Sequence, residues 1–203
     1  MRETSDVRGR ILELAIQAID SGGEVAVRVN DLAAAAGVTV PTLYRYFGSR
    51  DGLIVAAQTQ RFRRTQNVDA DVFAAELAKC TTREQLIRAF QKELPLHFER
   101  DRWKLRQIRL DSLGSGVSRP ELRASLAQAQ REDASRIGDI VRLYQKKGWI
   151  RKSVDPDALA YFYMGQILGR VLIEMGDSPV TEKKWNQVSV DAIMAVVFGV
   201  VPK

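Results

Sequence analysis

Cysteine occurs once in the 203 residues, at Cys80, and histidine once, at His97. A single thiol cannot close an intrachain disulfide, so nothing points to an oxidising compartment and a cytoplasmic chain is expected. A single histidine cannot furnish the two Glu-x-x-His pairs of a di-metal helical bundle, and no HExxH, phosphate-binding loop or GxSxG occurs. No metal, cofactor or catalytic residue is expected, and an enzyme is the weakest of the function classes. Long apolar runs are also missing. The longest, Ala192 to Val201, has half of the roughly 20 residues a bilayer span needs, and Met1 to Arg10 lacks the apolar core of a secretory leader. Lysine is absent from residues 1–66, where nine Arg face seven acids, a balance of +2. The remainder sets 22 Lys or Arg against 18 acids, a balance of +4, and the chain as a whole carries +6 with a pI near 9.6. That excess suits a polyanion, and the planar fork of Arg suits phosphate and guanine. Being spread over both parts, it locates no site by itself.

What is present centres on Val29 to Arg50, VNDLAAAAGVTVPTLYRYFGSR. Leu32, Ala33 and Ala36 recur at helical spacing, and Gly37 stands where a helix closes in a left-handed residue. Thr39 then precedes VPTLYRYF as a cap for the backbone N–H of Thr42. Pro41 falls in the first turn of that second helix, where its missing N–H does least harm. Two short helices joined by a Gly-containing turn form the arrangement that lays a recognition helix in the DNA major groove. Leu43 and Phe47, one turn apart, are expected to pack inward, with Val40, Thr42, Arg45 and Tyr46 facing outward and Tyr44 on the same edge. Arg45 can pair with guanine, Thr42 with a base edge or thymine methyl, and the tyrosine hydroxyls with phosphate.

GVTVPTLYRYFGSRDGL resembles the N-terminal signature of TetR-type transcriptional regulators, and the likeness by motif covers about residues 6 to 64. The resemblance implies DNA-facing positions at Thr39, Val40, Pro41, Thr42, Tyr44, Arg45 and Tyr46, with Arg50 touching phosphate from the start of the fourth helix. Arg28 stands where the family usually has a small hydroxyl cap, a departure that trades the cap for a phosphate contact. Asn30 follows at a position where a larger polar residue is common.

Elsewhere the pattern is helical throughout, with no strand-like alternation and no internal repeat. The fold class is all-α: a three-helix DNA-binding domain (residues 1–48), a linking helix (49–66) and a larger helical regulatory and dimerisation domain (67–203). Ile11, Leu12, Ala15, Ile16 and Ile19 stripe the first helix, with Arg2, Arg8 and Arg10 as a basic arm before it. Ser49 is placed to cap the fourth, which buries Leu53, Ile54, Ala57 and Phe62 and ends in Arg61, Arg63 and Arg64. These three suit the helix dipole, with a DNA contact as the alternative. Further on, Thr81 with Glu84 reads as a capping box and Pro95 as a kink in a helix running toward Arg100. Another helix spans Asp101 to Leu113, and Gly114-Ser115-Gly116 reads as a break. Pro120 to Lys147 and Asp157 to Met175 are long helices.

The last two helices are apolar around most of their girth and need cover from a large interior or a second subunit. Gly165 and Gly169, four apart, would let backbones approach. A homodimer through Gly165, Gly169, Leu172, Val188, Ala192 and Val196 is expected, as the resemblance also implies. The resemblance further implies a small-molecule effector, with Phe90, Phe98, Trp103, Gln107, Tyr144, Tyr161 and Phe162 as candidate pocket residues, although aromatics at helical spacing serve equally as core. Arg106 is a possible polar anchor, and His97 reads as an exposed residue beside Pro95. The expected function is a repressor that binds a pseudo-palindromic operator as a dimer and is released by its effector. The competing class is a dimeric adaptor for protein partners, distinguished by salt: DNA affinity falls steeply with ionic strength, while an apolar interface changes little.

Overall fold

The computed structural model describes residues 2–66 and 70–199, and every ordered element among them is a helix. The chain divides into two compact units, each with its own buried core: residues up to Arg64 with Ser112–Leu126, and Thr65–Asp111 with residues from Ala127 onward.

In the first unit α1 runs Arg2–Gly22, so the basic arm continues the helix rather than preceding it. Helices α2 (Val29–Ala35), α3 (Val40–Phe47) and α4 (Arg50–Gln66) follow. The apolar spacing explains the packing. Ile11, Ala15, Ile16 and Ile19 of α1 meet Leu32, Ala33 and Ala36, Leu43 of α3, and Leu53, Ile54 and Ala57 of α4. Gly37, at φ +68°, makes the turn between α2 and α3 in a conformation that costs a side-chain-bearing residue more. Ser49 caps α4 by accepting from the Gly52 N–H at 2.9 Å. Gly52 also has a steric reason, because a Cβ there would lie 2.1 Å from the Phe47 carbonyl oxygen.

The second unit contains α5 (Ala70–Ala78), α6 (Arg83–Glu93), most of α7 (Trp103–Val117) and α8 (Pro120–Lys146), and then α9 (Pro156–Gly169), α10 (Val171–Glu174) and α11 (Glu182–Phe198). Its core gathers Leu77, Leu86, Phe90, Leu94, Phe98, Tyr144, Leu159, Ile193, Met194 and Phe198. The edge-to-face ring pairs Phe73–Phe90, Phe73–His97 and Phe90–Phe198 have centroids 5.1–5.3 Å apart, within the range aromatic pairs prefer.

Several sequence expectations are corrected here. The capping box belongs to Thr82 and Gln85, not Thr81 and Glu84: Thr82 Oγ1 accepts from the Gln85 N–H at 3.2 Å, and Gln85 Oε1 accepts from the N–H groups of both Thr81 and Thr82. Pro95 ends a helix instead of kinking one. It lacks the N–H that would extend the ladder past Leu94, and the chain tightens into a 3₁₀ turn, Leu94–Phe98. Gly114-Ser115-Gly116 does not interrupt α7. The helix is held there by Ser112 and Ser115, whose hydroxyls bond Gln58 and Glu24, and Gly116 lies under Leu126 where a Cβ would meet Cδ1 at 3.1 Å. The helix expected from Asp157 to Met175 is parted at Arg170, a fully buried guanidinium that bonds Glu174, Glu182 and Asn186. Val200 and Val201 of the longest apolar run lie outside the described residues, as do residues 67–69 beside the expected domain boundary.

Candidate functional site

In the first unit α3 presents one face to the core and one to solvent. Leu43 is fully buried, and Phe47 is half-buried against the same core. Thr39 caps the helix, accepting from the Thr42 N–H at 3.4 Å, while its hydroxyl lies 3.1 Å from that of Thr42. Thr39, Pro41, Tyr44 and Arg45 are exposed and Thr42 is half-buried. Val40 and Tyr46 are less outward than the pattern suggested, for both pack partly against the core. Arg28 takes the N-cap position of α2 without a side-chain cap bond, in line with the missing hydroxyl, and it is exposed, as is Asn30.

The arginines of this unit fall into two groups, separated by their partners. Arg61 pairs with Asp20 at 2.8 Å, Arg64 with Glu13, and Arg119 with Glu24 at 2.8 Å and Asp51 at 2.7 Å. These tie helices together and give Arg61 and Arg64 partners within the unit, while Arg63 and Arg64 stand in the last turn of α4, where they suit its dipole. Near α3 the arginines keep their charge unmatched. Arg45 touches the Tyr46 ring at 5.5 Å, and Arg8 lies 5.2 Å over Phe47. Arg50 donates to the carbonyls of Val27 at 2.8 Å and Glu24 at 2.6 Å, which orient it without neutralising it. Among the described residues Arg28, Arg45 and Arg50 have no carboxylate partner. A set of exposed, oriented guanidiniums beside a short helix suits phosphate and base edges. Arg28, Arg45 and Arg50 stand where the sequence pattern places DNA contacts, while Arg8, expected only as part of a basic arm, is set over Phe47 by the α1–α3 packing.

The second unit holds a cavity of about 380 Å³, the size of a small-molecule site. Of the seven residues expected to line it, only Phe90 does. Phe98 and Tyr144 are core, the latter donating its hydroxyl to the Leu77 carbonyl at 2.6 Å, and Trp103, Gln107, Tyr161 and Phe162 are exposed. Phe73, His97, Arg106, Arg109, Asp133 and Tyr163 stand in their place.

His97 is 7% exposed rather than a surface residue. Burial pushes its pKa down to about 4, so the ring is neutral near pH 7. Tyr163 lies 2.6 Å from His97 Nδ1, and burial raises the phenol so that it keeps its proton and donates to that nitrogen. Burial likewise lowers the pKa of Arg109 and Arg102, the sign of positive charge held away from water. Cys80 is buried and its thiol is pushed up, away from the activated range of a redox sensor.

At the candidate dimer surface Leu172 and Val188 are 77% and 68% exposed, with Gly165 and Val196 also on the surface. Ala192 and Gly169 are half-buried, and a Cβ at Gly169 would make ordinary contact with the Trp185 ring at 3.7 Å.

The profile of the bacterial regulatory proteins of the tetR family matches residues 11–57, from the second half of α1 through α2 and α3 into the first half of α4. The N-terminal part of the chain is thus similar to that family. Its N-terminal part is 39% identical over 79 residues to the transcriptional repressor KstR of Mycolicibacterium smegmatis, covering 39% of this chain and 37% of the repressor. The KstR of Rhodococcus jostii is 42% identical over 57 residues, 28% of this chain and 27% of that one. The matches thus span between about a quarter and little more than a third of those repressors' own length. Across nearly the whole chain the fold is that of TetR-family proteins. A protein of Mesorhizobium loti assigned to the family has a TM-score of 0.71 at 16% identity, covering 96% of this chain and 98% of its own. A protein of Saccharomonospora viridis assigned as a transcriptional regulator, solved in complex with choline, has a TM-score of 0.62 at 26% identity over 95% of this chain and 98% of its own. Among the described residues no helix is long and apolar enough to cross a membrane.

Proposed function

We propose that this chain is a TetR-type sequence-specific DNA-binding regulator, a repressor that occupies a pseudo-palindromic operator as a homodimer and leaves it when a small molecule fills the cavity. The observation that carries the DNA reading is the division among the arginines: those that build the fold are matched by acids, while those around α3 are exposed and unmatched. In this reading residues 1–48 are the DNA-binding domain, 49–66 the linking helix, and 67–203 the regulatory and dimerisation domain, in a cytoplasmic protein. Arg45 and Thr42 specify bases; Arg28, Asn30, Tyr44 and Arg50 hold phosphate. The similarity to KstR repressors supports the direction of control.

Exposed Leu172, Met175, Val188 and Val196 supply the apolar surface that a second copy would cover. Two copies about a twofold axis require operator half-sites separated by about 34–36 Å or its multiples. Effector control rests on the cavity and on the choline complex of the Saccharomonospora viridis protein; a ligand that favours the weakly binding state lowers operator affinity by linkage. Selection of bound fragments from random duplex DNA tests the proposal. Recovery of a two-fold symmetric site, with affinity falling steeply as salt rises, supports it. Enrichment of no sequence at low ionic strength overturns it and favours the dimeric adaptor, whose apolar contacts salt would barely change.

A further inference from the structure

The cavity of the second unit is walled mainly by apolar side chains, but it carries two arginines on one face of α7. Arg106 and Arg109 are three residues apart and so point the same way. Arg106, 1% exposed, lays its Nε and Nη2 on Glu174, with Nε 2.9 Å from Oε2, and Nη2 also donates to the Glu99 carbonyl at 2.9 Å. Its Nη1 is buried and has no partner. Arg109 turns the same edge to uncharged oxygens, donating from Nε to Thr65 Oγ1 at 2.9 Å and from Nη2 to the Thr65 carbonyl at 2.8 Å.

The nearby acids are already engaged. Asp133 holds Arg136 at 2.8 Å, Asp139 holds Arg142 at 3.0 Å, and Glu174 is shared by Arg106 and Arg170. Among the described residues Arg109 therefore has no carboxylate of its own. The carboxylate that favours its charge, Asp133, is committed to Arg136, so burial still outweighs it, and a ligand anion reaching this guanidinium would relieve that cost.

We infer that the effector is an amphipathic anion, its apolar body among Phe73, Phe90, Ile137 and Ile140 and its carboxylate on the Nη1 ends of Arg106 and Arg109. The inference rests on the reading of the cavity as the effector site and adds the ligand's charge and class. The neighbour's choline carries the opposite sign, so the two proteins would differ in ligand while sharing a fold.

The test uses three probes with one tail and different heads, decanoate, decanol and decyltrimethylammonium, titrated calorimetrically into the full chain below their aggregation concentrations. Decanoate is expected to bind at least about tenfold tighter than decanol, the scale of a charge-assisted pair, with the cation weakest. Arg109→Gln is expected to narrow the decanoate-to-decanol ratio toward one. Equal binding of decanoate and decanol by the unaltered chain, or preference for the cation, overturns the anion assignment and leaves the cavity reading standing. Binding of none of the three overturns the cavity reading and this inference with it.

Discussion

Acidification should weaken the second unit through one side chain. His97 sits in the 3₁₀ turn after α6, 7% exposed, with its Nδ1 taken by Tyr163 and the Phe73 ring edge-on at 5.1 Å. Burial lowers its pKa from 6.5 to about 4, outweighing the opposing pull of Glu93. The folded state therefore refuses a proton that the unfolded chain accepts. Stability from this group is fully present above the unfolded value of 6.5 and is lost as pH falls through the window down to about 4. At roughly 1.4 kcal/mol per pKa unit the whole shift amounts to about 3 kcal/mol, a large share of a domain's usual roughly 5–15 kcal/mol.

All three tryptophans, Trp103, Trp149 and Trp185, belong to the second unit, so denaturant unfolding followed by their fluorescence reports on that unit. Between about pH 7 and pH 4.5 the unaltered chain should lose about 2–3 kcal/mol more than His97→Gln. Carboxylates that titrate in the same window cancel in that comparison. Because His97 is the one histidine, its imidazole resonances can also be titrated without assignment. Equal losses in the two proteins, or an imidazole midpoint near 6.5, would refute a buried, neutral ring.

The remaining expectations concern the first unit. Arg45→Ala should cost about 1–3 kcal/mol of operator affinity at one base position in a binding-site selection; a uniform loss on all sequences would reassign Arg45 to phosphate. Thr39→Ala should destabilise the unit by about 1 kcal/mol through the lost cap, measured by backbone hydrogen exchange in α3, where unchanged protection would show the 3.4 Å contact to be idle. Gly52→Ala should cost about 1–3 kcal/mol by overpacking, since a Cβ there lies 2.1 Å from a backbone oxygen that cannot rotate away. A neutral or raised melting temperature for that variant would mean that α3 and α4 can shift apart.

Helix caps explain why the first unit was legible from residues and much of the second was not. Thr39, Pro41, Gly37 and Ser49 act over three or four residues, so their chemistry is visible in the order of the chain, and α2, α3 and the start of α4 fall where those signals put them. Thr82 displaced Thr81 as a cap because both threonines compete for one glutamine, a choice their geometry decides. The glycines of α7 misled for a longer-range reason: their local cost is offset by Ser112 and Ser115, whose partners Gln58 and Glu24 lie far away in sequence, and by the packing of Leu126 over Gly116.

The cavity belongs wholly to that second kind of information. Apolar aromatic residues such as Phe73 and Phe98 carry the same helical signal whether they face a void or fill a core, and only packing separates Phe73 at the cavity from Phe98 in the interior. Periodicity and caps determined an all-helical chain with a short helix to present, because these depend on neighbours a few bonds away. Which arginines are neutralised, which histidine is dry and where the empty space lies were decided by tertiary packing, since each depends on residues brought together from distant parts of the chain.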